Sequence, residues 1–303
     1  MRIGTSLVEA QSPQALALLR DELQRAADDG FSSAWMANIF GLDALTALAV
    51  AGRGVSGIEI GTAVVPTYPR HPAVLAQQAL TAALALDAPL VLGIGLSHKI
   101  VIEDMYGYSF AAPAAHMEEY LSILLPLVDG QSASFDGKTM RADIGLSVPR
   151  RAEVPVMLAA MAPRMLRLAG ERTAGTILWM TGRATIRDYI APTINEAARQ
   201  AGRPSPRIVC SLPVCVTGDP DRARSRAARA FQIYGQLPSY RAMLDREGAQ
   251  GPADVAIVGS EDDVADQITA MAECGVTDFV AAEFATGDDR TRTRKLLKAL
   301  ING

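Results

Sequence analysis

The chain has only three cysteines and three histidines in 303 residues, and aromatic residues make up just 5% of it. No two cysteines form a CxxC pair. Cys210 and Cys215 stand an odd number of residues apart on one apparent strand, so they face opposite sides of it. That spacing argues against a disulfide framework. The histidines, His71, His98 and His116, are scattered and no HExxH occurs, so no metal site is expected. P-loop and GxSxG motifs are also absent. No basic stripe with interleaved aromatics interrupts a net charge of −4 that is spread along the chain, which speaks against nucleic-acid binding. The most apolar stretch, Pro72 to Leu96, is broken by Gln77, Gln78, Thr81 and Asp87, so it is no membrane span. The first residues, MRIGTSLVEA, lack an apolar core of signal-peptide length. A cytoplasmic protein is expected.

What is present is an ordinary globular composition, 49% hydrophobic and 20% charged, which excludes a disordered chain. At about 150 residues per domain the length suggests two domains, but large α/β folds reach about 250 residues as one. The apolar period decides between these. Strands are expected at Met1–Leu7, Ser33–Ala37, Gly57–Val65, Pro89–Leu96, Val154–Ala159, Gly175–Met180, Pro206–Val216 and Val276–Ala282, with helical periods between them. Ser12-Pro13 reads as the start of the first helix and Gly30 as its stop. Asp219-Pro220 and Ser260 to Asp263 read as later helix caps. Gln131 to Pro149 carries no helical period and reads as a loop or small hairpin. Eight near-continuous apolar strands, each followed by a helix, predict an α/β fold, a (β/α)8 TIM barrel spanning 1–303 as one domain, with an insertion after the fourth strand. An open Rossmann-type sheet is the alternative. It calls for GxGxxG after the first strand, which Gly4-Thr5-Ser6 does not supply.

In such a barrel the chemistry sits where strands end and helices begin. Those positions are Asn38 and Ile39, Ala63 to Arg70, Gly95 to His98, Ala159 to Pro163, and Trp179 to Arg183. His98 follows a Gly93-Ile94-Gly95 strand end whose ordinary reading is close backbone packing. In that loop it can titrate near neutral pH. Ala159-Ala160-Met161-Ala162 precedes a helix start, where small residues and free N–H groups favour an anion such as a phosphate; a plain tight turn is the alternative. His71 reads as a cap or a substrate contact. His116 and Glu119, at helical spacing, read as a solvated pair.

The segments GTAVVPTYPRHPAVLAQQA, VLGIGLSH and MLAAMAPRMLRLAGERTAGTILWMTG, in this order, resemble the luciferase-like monooxygenase superfamily, and within it the actinobacterial oxidoreductases that use coenzyme F420. The resemblance runs through nearly the whole chain and implies a (β/α)8 barrel with an insertion. It also implies a non-proline cis peptide at Ala63-Val64 behind the deazaflavin ring. The ring is then expected across Asn38, Val64 and Gly95, Leu96 and Ser97. The phosphate is expected on Ala159, Ala160, Met161 and Ala162. Trp179, Thr181 and Gly182 flank the ribityl and phosphate end, with Arg164, Arg167 and Arg183 near it.

The chain departs from the family pattern in several places. Where related sugar-phosphate dehydrogenases carry an acid and a histidine after the second strand, this chain has Asn38 and Ile39, which cannot act as bases. Met161 and Ala162 replace phosphate-loop glycines, Ala174 replaces an aspartate, and Ala88-Pro89 replace Gly-Arg. His98 remains as the proton donor or acceptor. Three functions follow from these residues: an F420-dependent oxidoreductase acting on a small, mostly apolar molecule, an FMN-dependent monooxygenase, and a non-catalytic F420-binding protein. A homodimer is a further implication of the resemblance.

Overall fold

A computed structural model of the protein describes residues 1–8 and 10–302. Eight parallel strands form a closed ring: β1 (Arg2–Ser6), β2 (Ser33–Met36), β3 (Glu59–Thr62), β4 (Leu90–Gly95), β5 (Val156–Leu158), β6 (Gly175–Trp179), β7 (Arg207–Val216) and β8 (Asp278–Glu283). Each strand pairs with the next, and β8 returns to β1 with Arg2 beside Asp278, so the ring has no open edge. This is the expected (β/α)8 barrel. Its main helices are α1 (Ala15–Asp28), α2 (Ala44–Ala51), α3 (Pro72–Ala85), α4 (Pro113–Val128), α5 (Pro163–Arg172), α6 (Ala191–Gln200), α7 (Pro220–Ala230), α8 (Pro238–Glu247), α9 (Glu261–Glu273) and α10 (Asp288–Asn302).

Local chemistry explains most of the helix ends. Asp43, His71, Asp219 and Ser260 each accept a backbone N–H at a helix start, and Ser260 with Asp263 completes a capping box. His71 is thus a cap, one of its two expected roles. Gly30 follows α1 at φ +84°, a conformation that suits glycine after a helix. The first helix start differs from expectation. α1 begins at Ala15 behind Gln14, and the Ser12 hydroxyl is buried without a partner instead of capping it.

The insertion after β4 comprises a π-helical turn (Ile100–Met105), α4 and an antiparallel hairpin, Ala133–Asp136 with Arg141–Ile144. A second excursion was not legible in the apolar period. After α7 the chain adds the turn Gln232–Gly235, then α8, then a short strand, Ile257–Gly259, that pairs with the overhanging end of β7.

The barrel interior is filled by Trp35, Val91, Met157, Ile177, Val209 and Val280, one from each of six strands. Trp35 demands space beside it. A Cβ on Gly61 would lie 2.4 Å from the indole, so glycine on β3 is required there. Below this layer, Arg207 bridges Glu59 and Asp278 at 2.7 Å each, and Arg2 reaches both carboxylates at 3.3 Å. Asp278 is only 1% exposed, so its charge is tolerable because it is paired. Higher up, a Cβ on Gly93 would meet the Thr62 carbonyl oxygen at 1.9 Å and Ile177 at 2.5 Å. Gly93→Ala is therefore expected to destabilise the fold by about 3 kcal/mol or more, through overpacking against backbone that cannot yield. Urea unfolding of the variant beside the wild-type protein measures this.

Candidate active site

The mouth of the barrel is shaped first by backbone. After Thr62 the Ala63-Val64 peptide is cis, as expected, and Val65–Pro66 then pairs with Ile94 and Gly95 of β4. The Ala63 N–H donates to the Met36 carbonyl at 2.7 Å, and the Thr67 N–H donates to the Gly95 carbonyl at 3.0 Å. Segment 63–67 thus spans from the end of β2 to the end of β4. Ala63 and Val64 rest on the interior cluster beneath them. A Cβ on Gly95 would lie 2.6 Å from Val64 Cγ2 and 3.2 Å from Ala159 Cβ. The structure therefore brings Val64, Gly95 and Ala159 together in a floor of backbone and small apolar groups. Leu96 packs on the core beside it, and Ser97, at φ +62°, turns the chain toward His98. Asn38 lies after β2, where its side-chain oxygen accepts the Ala44 N–H at 2.9 Å and ties the loop to α2. Its neighbour Ile39 is 59% exposed.

The expected anion site divides into two parts with different outcomes. The turn Ala159 to Ala162 leads into α5, whose start carries no side-chain cap. Its first N–H groups are free to meet an anion. The turn is held from behind: the Thr176 hydroxyl accepts the Ala160 N–H at 3.3 Å, and the Tyr189 hydroxyl donates to the Met161 carbonyl at 2.9 Å. At Thr181 and Gly182 the outcome is otherwise. Thr181 is fully buried and its hydroxyl donates to the Trp179 carbonyl at 3.2 Å. The carboxylate of Glu247, from α8, accepts the N–H groups of Ala184 (3.1 Å) and Thr185 (2.7 Å). A phosphate at that turn would face a carboxylate already holding its donors, so of the two expected positions only the α5 start keeps uncapped N–H groups. Arg164 is also committed, to Glu118 at 2.9 Å.

The second excursion supplies a wall that the sequence reading missed. Trp179 meets Phe231 and Tyr234 edge-on at 5.8 and 5.7 Å, Tyr234 meets Tyr240 at 5.1 Å, and Tyr240 lies 5.6 Å from the His98 ring. Burial alone lowers the pKa of His98, and among the described residues no charged group opposes or adds to it. Burial likewise raises the Tyr240 and Tyr234 phenols, with the Trp179 indole partly offsetting the shift at Tyr234. The Trp179 Nε1 is buried with no hydrogen bond of normal geometry. This side of the mouth is aromatic, and the signal for it in the sequence is the spacing of Phe231, Tyr234 and Tyr240 across the turn and the start of α8.

His116 and Glu119 are not a solvated pair. His116 Nε2 lies 3.0 Å from the Thr67 hydroxyl and its ring stacks on Tyr68 at 3.9 Å and 2°. Glu119 points to the hairpin, where the Thr139 hydroxyl donates to it at 2.7 Å and the N–H groups of Lys138, Thr139 and Met140 at 2.9 to 3.0 Å, which together hold its pKa down at about 2. Burial pushes the His116 pKa down to about 4, against the charge of Glu119. The unfolded chain therefore binds this proton near pH 6.5 while the folded one refuses it until about pH 4. The stability that depends on neutral His116 is present above pH 6.5 and is lost as the pH falls to about 4. Denaturant midpoints across this window should drop toward acid, and His116→Phe should flatten the drop.

Among the described residues no group of three or more His, Cys, Asp or Glu is arranged to hold a metal ion, and no helix is long and apolar enough to cross a membrane. Comparison with known proteins adds to this geometry. Rv3520c of Mycobacterium tuberculosis, provisionally named a coenzyme F420-dependent oxidoreductase, is 30% identical over 93% of this chain and 84% of its own length. The 5,10-methylenetetrahydromethanopterin reductase of Methanopyrus kandleri is 23% identical over 97% of this chain and 95% of its own. The solved F420-dependent tetrahydromethanopterin reductase of that organism superposes with a TM-score of 0.82, at 20% identity over 98% of this chain and 97% of its own. A solved F420-dependent secondary alcohol dehydrogenase superposes at 0.84, with 18% identity over 99% and 98% of the two chains. The structural likenesses show the shared fold. The family model for luciferase-like monooxygenases matches residues 1–278, and the chain belongs to that family.

Proposed function

We propose that this protein is an oxidoreductase that uses coenzyme F420 and moves a hydride between the deazaflavin and a small, mostly apolar organic substrate. The observation that carries this reading is the floor of Val64, Gly95 and Ala159, which runs from an uncapped helix start on one side to an uncharged histidine on the other. A flat ring is held by such a surface, and a phosphate by such a helix start. Asn38, Ala63, Val64, Gly95, Leu96 and Ser97 would hold the ring, and Ala159 to Ala162 the phosphate. Three of the reported relatives are named for F420, which supports that cofactor over FMN. When bound, the cofactor supplies or accepts the hydride.

The chain contributes orientation, exclusion of water and one proton site. His98 is half-buried, and among the described residues its ring makes no hydrogen bond, which leaves its nitrogens open to a substrate. With its pKa lowered by burial, the imidazole is neutral at working pH and acts first as a proton acceptor. The uncharged aromatic wall disfavours a sugar phosphate, whose desolvated charge would find no partner there. A homodimer and a cytoplasmic location belong to the same proposal. Light scattering that shows a monomer at micromolar concentration would remove the dimer.

Titration with oxidised and reduced F420 and with FMN tests the cofactor. Tight binding of F420 supports the reading, and binding of FMN alone overturns it in favour of a flavin monooxygenase. Once a substrate is found, His98→Ala should lower kcat by about 100-fold while leaving F420 affinity near wild type. It should also abolish the acid limb of the pH–rate profile, which lies below the ordinary imidazole value of 6.5. Unchanged turnover would remove His98 from the chemistry.

A further inference from the structure

We propose that His116, reaching in from α4, is a positioning residue that fixes segment 63–67 as the backing of the cofactor ring; the proposal rests on the cofactor reading above. The segment is held by backbone at Met36 and Gly95, but its far end depends on side chains. Thr67 is 1% exposed, and its hydroxyl has one side-chain neighbour to bond, His116 Nε2 at 3.0 Å. Tyr68 lies flat on the same imidazole and meets Phe110 at 5.4 Å. Tyr120 stands 5.7 Å from the imidazole, fully buried. Arg70 closes the loop through its ion pair with Asp43, the cap of α2. One imidazole thus uses an edge for Thr67 and a face for Tyr68.

The route from His116 to the ring site is short. The residue it bonds is the one whose N–H holds the Gly95 carbonyl, and three residues earlier Val64 packs against Gly95. Movement of Thr67 shifts both components of the floor together. A ring that binds to a floor already in place loses less affinity to ordering than one that must order it. The hydrogen bond and the stack are also chemically separable. Phenylalanine keeps the face and removes the edge, and glutamine keeps an edge donor and removes the face.

The test is a cycle of Thr67→Val, His116→Phe and the double variant, with His116→Gln beside them, each read by F420 affinity and by the thermal midpoint without ligand. Each single variant should raise the F420 Kd about tenfold, equivalent to 1.4 kcal/mol. The double variant should add little to either, because both remove one bond. His116→Gln should recover most of the affinity. Kd values within twofold of wild type in both single variants, or affinity losses that simply track lowered midpoints, overturn the proposal. Thr67→Val is close in shape to the native residue and keeps the test valid if His116→Phe does not fold. If the wild-type protein binds FMN and not F420, the cofactor reading fails by itself. The same cycle is then run with FMN, since the floor faces either ring.

Discussion

A closed barrel encloses a volume that must be filled, and much of this structure follows from how that is done. The interior cannot be left empty without losing packing contacts on every strand. Here a single large residue, Trp35, takes up much of the space, and its indole N–H finds the buried Ser33 hydroxyl at 2.9 Å. A tryptophan in so narrow a ring forces small neighbours, and Gly61 is the consequence on the adjacent strand. At the lower end the filling is ionic: two arginines and two carboxylates join β1, β3, β7 and β8. The pairs come from distant parts of the sequence, so they form only when the ring is complete. Removing either arginine would leave buried carboxylate charge poorly matched, and that penalty favours the closed ring over open alternatives.

The same filling sets the height of the mouth. Ala63 and Val64 lie on top of the interior cluster, and Gly93 and Gly95 allow β3 and β4 to approach closely just below and at the floor. The site floor is in this sense the upper surface of the core. Its flatness comes from what is missing, since a side chain on Gly95 would displace Val64 or Ala159. The low aromatic content of the chain bears on this too. Four of the aromatics, Trp179, Phe231, Tyr234 and Tyr240, meet along one side of the mouth, while the floor itself is small and aliphatic.

The fold was largely legible because each barrel strand is an apolar run bounded by glycine, proline or a capping residue, and these signals are local. Pro163, Asp219 and Ser260 mark helix starts within one residue of where the helices form. The second excursion was hidden because a three-residue strand has no period to detect, and α8 buries only Met243 and Leu244. The juxtapositions at the barrel mouth were legible where strand ends define them, as at Val64, Gly95 and Ala159. It was not legible where long-range contacts do. Glu247 lies about sixty residues from the N–H groups it caps, and His116 forty-nine from Thr67. Helical spacing correctly placed His116 near Glu119 but could not show that the two turn to different partners. Nor could the sequence tell that Thr181 faces inward, because a threonine after a strand has equal claim to a ligand or to the preceding carbonyl.

Charge is distributed in a way that separates the two halves of the candidate site. At the start of α5 the free N–H groups lie beside Arg164, which pairs with Glu118, and the neighbouring turn is already capped by Glu247. Around the substrate end no charge acts on His98. A hydride moves as a proton with two electrons, so a fixed charge near its path would favour one direction of transfer over the other. In the proposed reaction, where no charge of the described residues acts on His98, the direction of transfer would be left to the relative potentials of cofactor and substrate. Beyond the proton site proposed at His98, what such a barrel would supply is distance and dryness, which a floor continuous with the core and a wall of buried rings are suited to provide.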